Sequence, residues 1–441
     1  MTRRIVLATV GSLGDLHPFI ALGLALEARG FAVLLASAAE YRDKVGAAGL
    51  AFHAVRPSFA DLERDLGMSR AAVTHRIVAD NRFLFRRLVV PYLRESLTDM
   101  QAACDGAALV VASSLAYGAR LAAELQGIPC IGVALQPMMF LSAYDPPLVP
   151  RGEWLMRLLR ALGPGPTAPL LRLVKRSLRG MFAPLEALRA ELALPALRHD
   201  PLFEDAFPPG GAIGLYSPLL GAVQPDHPPH TRICGFAAFD SGDGRAARLD
   251  AALEAFVAAG APPLVFTLGS LIVNDPGSFY RESVAAARLL GLRAVLLVGD
   301  GGLEAVADLA GDDVCSVAYA PHSLLFPRAA VVIHHGGIGT LAQGLASGRP
   351  ALIVPFFADQ VDNADRALRL GVARVLRPAA YRAAAAARQL RALRDQPGFA
   401  AAAIAVRQRL AAESGATDAA AFIETRLAAP YAATATGERI R

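Results

Sequence analysis

No other stretch narrows the possible folds as much as AAVVIHHGGIGTLAQGLASGRPALIVPFFADQVDNA, Ala329 to Ala364. An apolar run, Val331 to Ile333, ends on His334 and His335. It passes through Gly336, Gly337, Ile338, Gly339 and Thr340 into a helix-length segment of small residues, then reaches a second apolar run, Ala351 to Val354. Short apolar runs that alternate with helix-length segments predict a parallel sheet covered by helices on both faces.

The same alternation extends over the chain. Strands are expected at Ile5–Val10, Val33–Ala36, Leu109–Ala112 and Cys130–Ala134, and again at Leu264–Leu268, Ala294–Val298, Val331–Ile333, Ala351–Val354 and Ala373–Leu376. After the first strand a helix is expected from near Pro18, a residue suited to a first helical turn, carrying Ile20, Leu22, Leu24 and Leu26 on to Gly30. IVLATVGSLGD near the start and PLVFTLGSLIVND from Pro263 both put a Gly-Ser turn straight after an apolar strand. At 441 residues the chain suits two domains, and the repeated opening predicts two Rossmann-like halves. They are expected at residues 1–216 and 246–427, with a Pro- and Gly-rich linker at 217–245 and a flexible tail at 428–441. Ala400 to Leu427 reads as one or two helices. A ligand is expected in the cleft between the halves, at the carboxyl ends of the strands.

Composition removes several function classes. A formal charge of +5 without a long basic run argues against nucleic acid. The four cysteines are far apart and form no CxxC pair, so neither a disulfide framework nor a zinc site is expected, and a reducing cytoplasm fits. Ile5 to Val10 is too short for a signal peptide, and Ile128 to Pro150 is interrupted by Gln136, Asp145 and prolines, so a soluble protein is expected.

A turn from strand into helix leaves backbone N–H groups pointing outward, where the helix dipole favours an anion. Glycines let a phosphate approach the backbone, and threonine adds a hydroxyl donor. HGGIGT is therefore suited to a diphosphate, with His335 as a further donor, or else to a tight turn that packs a helix closely. Neighbours on an extended segment point to opposite sides, so one of His334 and His335 is expected to face the cleft and the other to be packed or solvated. There is no GxxxxGK[ST], and Gly11 and Gly14 do not complete GxGxxG, which argues against a P-loop NTPase and a nicotinamide dehydrogenase.

The segment from Tyr319 to Asn363 resembles the donor-binding signature of the inverting family 1 glycosyltransferases, which have the two-domain GT-B fold. GSLGDLHPFIALGLALEARGF resembles the opening of that family's acceptor domain. The chain resembles bacterial members acting on lipids, the rhamnolipid-forming rhamnosyltransferases and sterol-glucosyltransferase-like enzymes, and QPMMFLSAYDPPLVP, CGFAAFD and PLVFTLGS resemble the rhamnosyltransferase group. The resemblance implies that residues 1–216 bind acceptor and 246–427 bind a nucleotide-sugar. His335, with Gly337, Gly339 and Thr340, would hold the diphosphate, joined by Ser270 from the other turn. Tyr319 would stack on the base, with His322 beside it. Gln343 stands where many relatives place a glutamate on the ribose. An amide loses the charge-assisted bond, which is compatible with a deoxyribose donor such as a dTDP-sugar. Asp359 and Gln360 would bind the donor sugar, although an aspartate before a helix is also a common cap.

The resemblance implies attack of an acceptor hydroxyl on the anomeric carbon, opposite the leaving diphosphate. GSLGDLHP offers two bases, Asp15 and His17. The family's pattern puts Asp15 at the base position. Ordinary pKa values of about 6.5 and 3.9 favour histidine, but an apolar pocket raises a carboxyl. VVASSLAYG lacks the aspartate that orients a base histidine in plant-type relatives, which favours a directly acting carboxylate.

Met138, Met139, Phe140 and Tyr144, with Phe83, are expected to line an apolar acceptor pocket, each having a core role as its alternative. Glu153 to Phe182 mixes leucines with arginines and could rest on an anionic membrane surface or form a solvated basic face. The expected enzyme is thus an inverting hexosyltransferase using a dTDP- or UDP-sugar, a lipid or other hydrophobic acceptor, and neither metal nor resident cofactor. An epimerase or hydrolase on the same fold, or a non-catalytic nucleotide-sugar-binding subunit, are the alternatives.

Overall fold

A computed structural model describes residues 3–240, 248–299 and 301–428. The first half contains β1 (Arg4–Ala8), β2 (Ala32–Ser37), β3 (Ala51–Ala54), β4 (Leu109–Ser113), β5 (Cys130–Ala134), β6 (Ala212–Gly214) and β7 (Thr231–Ile233). They form one parallel sheet in the order β3-β2-β1-β4-β5-β6-β7. The second contains β8 (Leu264–Thr267), β9 (Ala294–Leu297), β10 (Val314–Val317), β11 (Val331–His334), β12 (Ala351–Ile353) and β13 (Ala373–Val375), parallel in the order β10-β9-β8-β11-β12-β13. In each sheet the chain turns back beside its first strand, β1 or β8, which creates a crevice at the carboxyl ends.

Six helices matter for the site: α1 (Leu13–Glu27), α2 (Glu153–Leu162), α3 (Pro164–Arg179), α4 (Ile338–Ser347), α5 (Gln360–Arg369) and α6 (Gly415–Ala428). Helix α1 starts earlier than expected. Ser12 stands at its N-cap in a capping box with Asp15, so Pro18 lies inside the helix. Pro18 has no N–H for the carbonyl of Gly14, and that carbonyl faces the second half. An added Cβ at Gly339 would stand 3.5 Å from Gly14 Cα and 3.9 Å from its oxygen. The starts of α1 and α4 thus meet across the cleft.

The expected linker is not wholly irregular. β7 lies within residues 217–245 and closes the edge of the first sheet, where Arg232 and its neighbours pair with β6. Residues 241–247 of that linker, and 429–441 of the expected tail, lie outside the described residues. The C-terminal segment forms two helices, Pro397–Leu410 and α6. Helix α6 returns to the first half, burying Ala419, Ala420 and Ile423 against Phe19, Ile20 and their neighbours.

Candidate active site

β11 ends on His334, whose ring is fully buried. Its Nδ1 accepts from the Gly336 N–H at 3.1 Å, and burial pulls its pKa down to about 3, so it stays neutral. It is a packed histidine that shapes the turn. His335 is also buried and neutral, its pKa likewise pulled to about 3 by burial and then by His322, and its Nδ1 has no partner, as Nε2 of His334 has none. Two glycines make room for its ring. An added Cβ would stand 2.4 Å from His335 Cε1 at Gly269 and 2.3 Å from its Nε2 at Gly337.

That geometry separates two glycines two positions apart, Gly337 and Gly339. Gly337→Ala crowds a fixed ring and is expected to lower the unfolding free energy by about 1–3 kcal/mol. Gly339→Ala makes only ordinary contact with Gly14 and gains helix propensity, so it should be neutral or stabilising. Urea denaturation of the two variants checks the contrast, and equal losses would refute the wedged-ring account.

Gly337 caps α4 without a side-chain bond. The N–H groups of Ile338, Gly339 and Thr340 therefore open the helix towards the cleft, with Thr340 buried beside them. Ser270 is exposed on the short turn of helix Gly269–Ile272 after β8. These residues and His335 surround one helix end. Asn363, which no local pattern singled out, ties this end to the next: its Nδ2 donates to the Gly336 carbonyl at 3.0 Å and to Asp359 Oδ2 at 2.7 Å.

Asp359 occupies the N-cap position of α5 but makes no capping bond. Its carboxyl is pushed up to about 7 by burial and then by the charge of Asp15. The charge of Asp15 in the first half thus reaches Asp359 in the second. Gln360 is partly engaged within the chain, because its side-chain carbonyl accepts from the Phe356 and Phe357 N–H groups at 2.8 and 3.3 Å. Only its amide N–H groups are left for a ligand.

Asp15 accepts on Oδ2 from the Ser12 N–H at 2.8 Å and the Ser12 hydroxyl at 3.2 Å. A Cβ at Gly11 would stand 2.3 Å from that same oxygen. Burial raises Asp15 to about 6 despite the Ser12 bonds. His17 is lowered to about 4, by burial and then by Lys44, and its ring meets Phe239 edge-on at 5.5 Å. The ordinary order of basicity is therefore reversed between the two.

Tyr319 is 45% exposed, and its hydroxyl donates to Asp240 Oδ1 at 3.1 Å. Asp240 also accepts from the Ser323 N–H at 2.6 Å, so the linker holds the Tyr319 loop. His322 stacks on Phe326 at 4.3 Å and is lowered to about 4 by burial. Gln343 is half-buried on α4.

The five expected pocket residues are not brought together. Phe140 is a core residue, stacked on His227 at 4.4 Å and packed on Phe207 at 4.8 Å, because its 3-10 turn points it beneath the sheet end. Met138 and Met139 are half-buried and Tyr144 is exposed. Phe83 joins a separate cluster with Leu62, Ile77 and Phe357 of the second half. A small, mainly apolar pocket lies instead at the ends of β1, β2 and β4, lined by residues that include Val10, Val55, Leu88, Val89, Leu115 and Tyr117. Among the described residues no group of three or more His, Cys, Asp or Glu side chains is placed to hold a metal.

Residues 5–144 match the glycosyltransferase family 28 N-terminal domain, and residues 290–425 match the erythromycin biosynthesis protein CIII-like C-terminal domain. The chain is 31% identical over 380 residues to O-mycaminosyltylonolide 6-deoxyallosyltransferase of Streptomyces fradiae, covering 84% of each. It is 27% identical to a sterol 3-beta-glucosyltransferase of Arabidopsis thaliana, over 84% of this chain and 59% of that one. The crystal structure of glycosyltransferase VinC in complex with DTDP superposes with a TM-score of 0.65 at 20% identity, over 96% of this chain and 99% of that one.

Proposed function

The chain belongs to the GT-B glycosyltransferases that include these macrolide and sterol enzymes, and on that premise we propose an inverting, metal-independent transfer of a hexose, rhamnose or glucose, from a dTDP- or UDP-sugar to a hydroxyl of a lipid or other hydrophobic small molecule. The observation that carries this reading is the unpartnered, neutral His335 wedged between two glycines at the uncapped start of α4, opposite Asp15.

In the reading, His335, Ser270, Thr340 and the N–H groups at Gly337 and Gly339 hold the diphosphate. Tyr319 and His322 flank the nucleobase, Gln343 meets the ribose, and Asp359 with the amide of Gln360 meets the sugar. The acceptor oxygen forms a bond to the anomeric carbon as the bond from that carbon to the diphosphate oxygen breaks. The hydroxyl proton passes to Asp15, and the departing charge rests on the helix start and His335. Asp15, near 6, is the better base than His17, near 4, because general bases work best near the operating pH. The apolar pocket at the ends of β1 and β4 supports a hydrophobic acceptor. Gln343, and the thymidine diphosphate named with VinC, favour a dTDP-sugar.

Calorimetric titration of dTDP and UDP with EDTA present tests the donor site. One nucleotide is expected to bind, and His335→Ala should weaken it by about 10–100-fold, as for loss of one hydrogen bond to a charged group. No binding, or binding that EDTA abolishes, would overturn the reading.

A further inference from the structure

The helix pair α2–α3 carries large apolar side chains that nothing among the described residues covers. Trp154, the chain's single tryptophan, is 70% exposed, and Leu158, Leu162 and Leu173 are 48%, 59% and 63% exposed. Trp154, Leu158 and Leu162 are spaced four apart on α2 and so share one side of it. The opposite side is already used: Met156 and Leu159 are buried with Leu148. The face is therefore surplus to the core, and exposed apolar patches of this kind mark interaction sites.

Its charge is one-sided. Residues 151–180 contain Arg151, Arg157, Arg160, Arg172, Lys175, Arg176 and Arg179 against one carboxylate, Glu153. Arg160, Lys175 and Arg179 are held by Asp365, Glu204 and Glu186, and Glu153 by Arg377. Arg151, Arg172 and Arg176 are exposed and enter none of the ion pairs among the described residues. On α3, Arg172 adjoins exposed Leu173, and Arg176 lies one turn further on. Leucines and a tryptophan bordered by unpaired arginines match a headgroup layer: apolar side chains enter the acyl boundary, the indole sits at the interface, and the guanidinium groups meet lipid phosphates.

We propose that the outward face of α2 and α3, centred on Trp154, Leu158 and Leu173, docks the protein on an anionic lipid surface. The other side of α2 packs on the second half, where Arg160 bonds Asp365 of α5 at 2.8 Å and α5 begins just after Asp359. Docking would bring the cleft to the layer where hydrophobic hydroxyl compounds partition. The inference rests on the proposed transfer only for that consequence, because lipid binding is read without donor or turnover.

The test mixes the full chain with vesicles of phosphatidylglycerol and phosphatidylcholine, or of phosphatidylcholine alone, and follows sedimentation and Trp154 emission. Binding to the anionic vesicles with a blue shift, weakened at least tenfold by high salt or by R172E/R176E, is the expected result. Leu158→Ser should also weaken it while leaving nucleotide affinity intact. Absence of binding, equal binding to neutral vesicles, or binding unchanged in these variants would overturn the proposal. So would self-association in solution that Leu158→Ser abolishes, which would assign the face to a second copy of the chain.

Discussion

Asp15→Asn is expected to lower kcat/KM for sugar transfer by about 10²–10⁴-fold, the range for loss of a general base, without weakening nucleotide binding. The amide keeps an oxygen for the Ser12 N–H and hydroxyl, so the start of α1 should survive. The pH profile gives a sharper readout. Asp15 is raised to about 6 by burial, so it is ionised at pH 7 and takes up its proton as the pH falls. The wild-type rate should therefore drop below about pH 6, and the limb should vanish in Asp15→Asn. Asp359 is held near 7 by burial and then by the Asp15 charge, and removing that charge should let its pKa fall. A variant that keeps full activity, or keeps the acid limb unchanged, would remove Asp15 from the base role. Loss confined to His17→Ala would transfer the role there.

The parts legible in the sequence are those where burial imposes a local pattern. β1, β4, β5, β8 and β11 are almost wholly buried, and they read as unbroken apolar runs. β3, β6, β7 and β10 escaped such reading. AFHA is half-exposed at the sheet edge, AIG follows two glycines, TRI carries an exposed arginine, and VCSV is an edge strand with polar positions. The true start of α1 was present as Ser12 followed three residues later by Asp15, a capping-box spacing, but Pro18 drew the boundary forward. Phe140 misleads because an apolar turn has the same composition whether it lines a pocket or fills a core. Asn363 and Asp240 act through bonds to Gly336 and Tyr319, partners 27 and 79 positions away, which no spacing rule reaches. The glycines of HGGIGT illustrate a further limit. Both readings of them meet at one place, since Gly337 gives way to a ring while the same turn opens a helix end.

Arg366→Met should cost about 3–5 kcal/mol of unfolding free energy at pH 7, the loss typical when one partner of a buried ion pair is removed. Arg366 is among the largest fully buried side chains. It donates from Nε to Asp362 at 2.6 Å and from Nη1 to the Leu220 carbonyl at 2.6 Å, and it pairs with Asp145 of the first half. Asp362 in turn accepts from the Leu148 N–H at 2.9 Å. α5 is thereby clasped to the 141–150 loop across the domain boundary, close to where the helix starts at Asp359. Methionine fills similar space but strands the Asp362 carboxylate, whereas Asp145 keeps Arg160 and Arg369 as neighbours. A stranded carboxyl has a folded-state pKa above its unfolded one, so the folded variant binds more protons than the unfolded chain. Its deficit should accordingly be largest near neutral pH and shrink as the pH falls. Asp362→Leu added to Arg366→Met should recover part of the loss by removing the stranded charge. Urea denaturation at pH 5 and 7 measures all three terms. A deficit under about 1 kcal/mol, the level of an exposed pair, would mean that the clasp is open in solution and that α5 is positioned by packing alone.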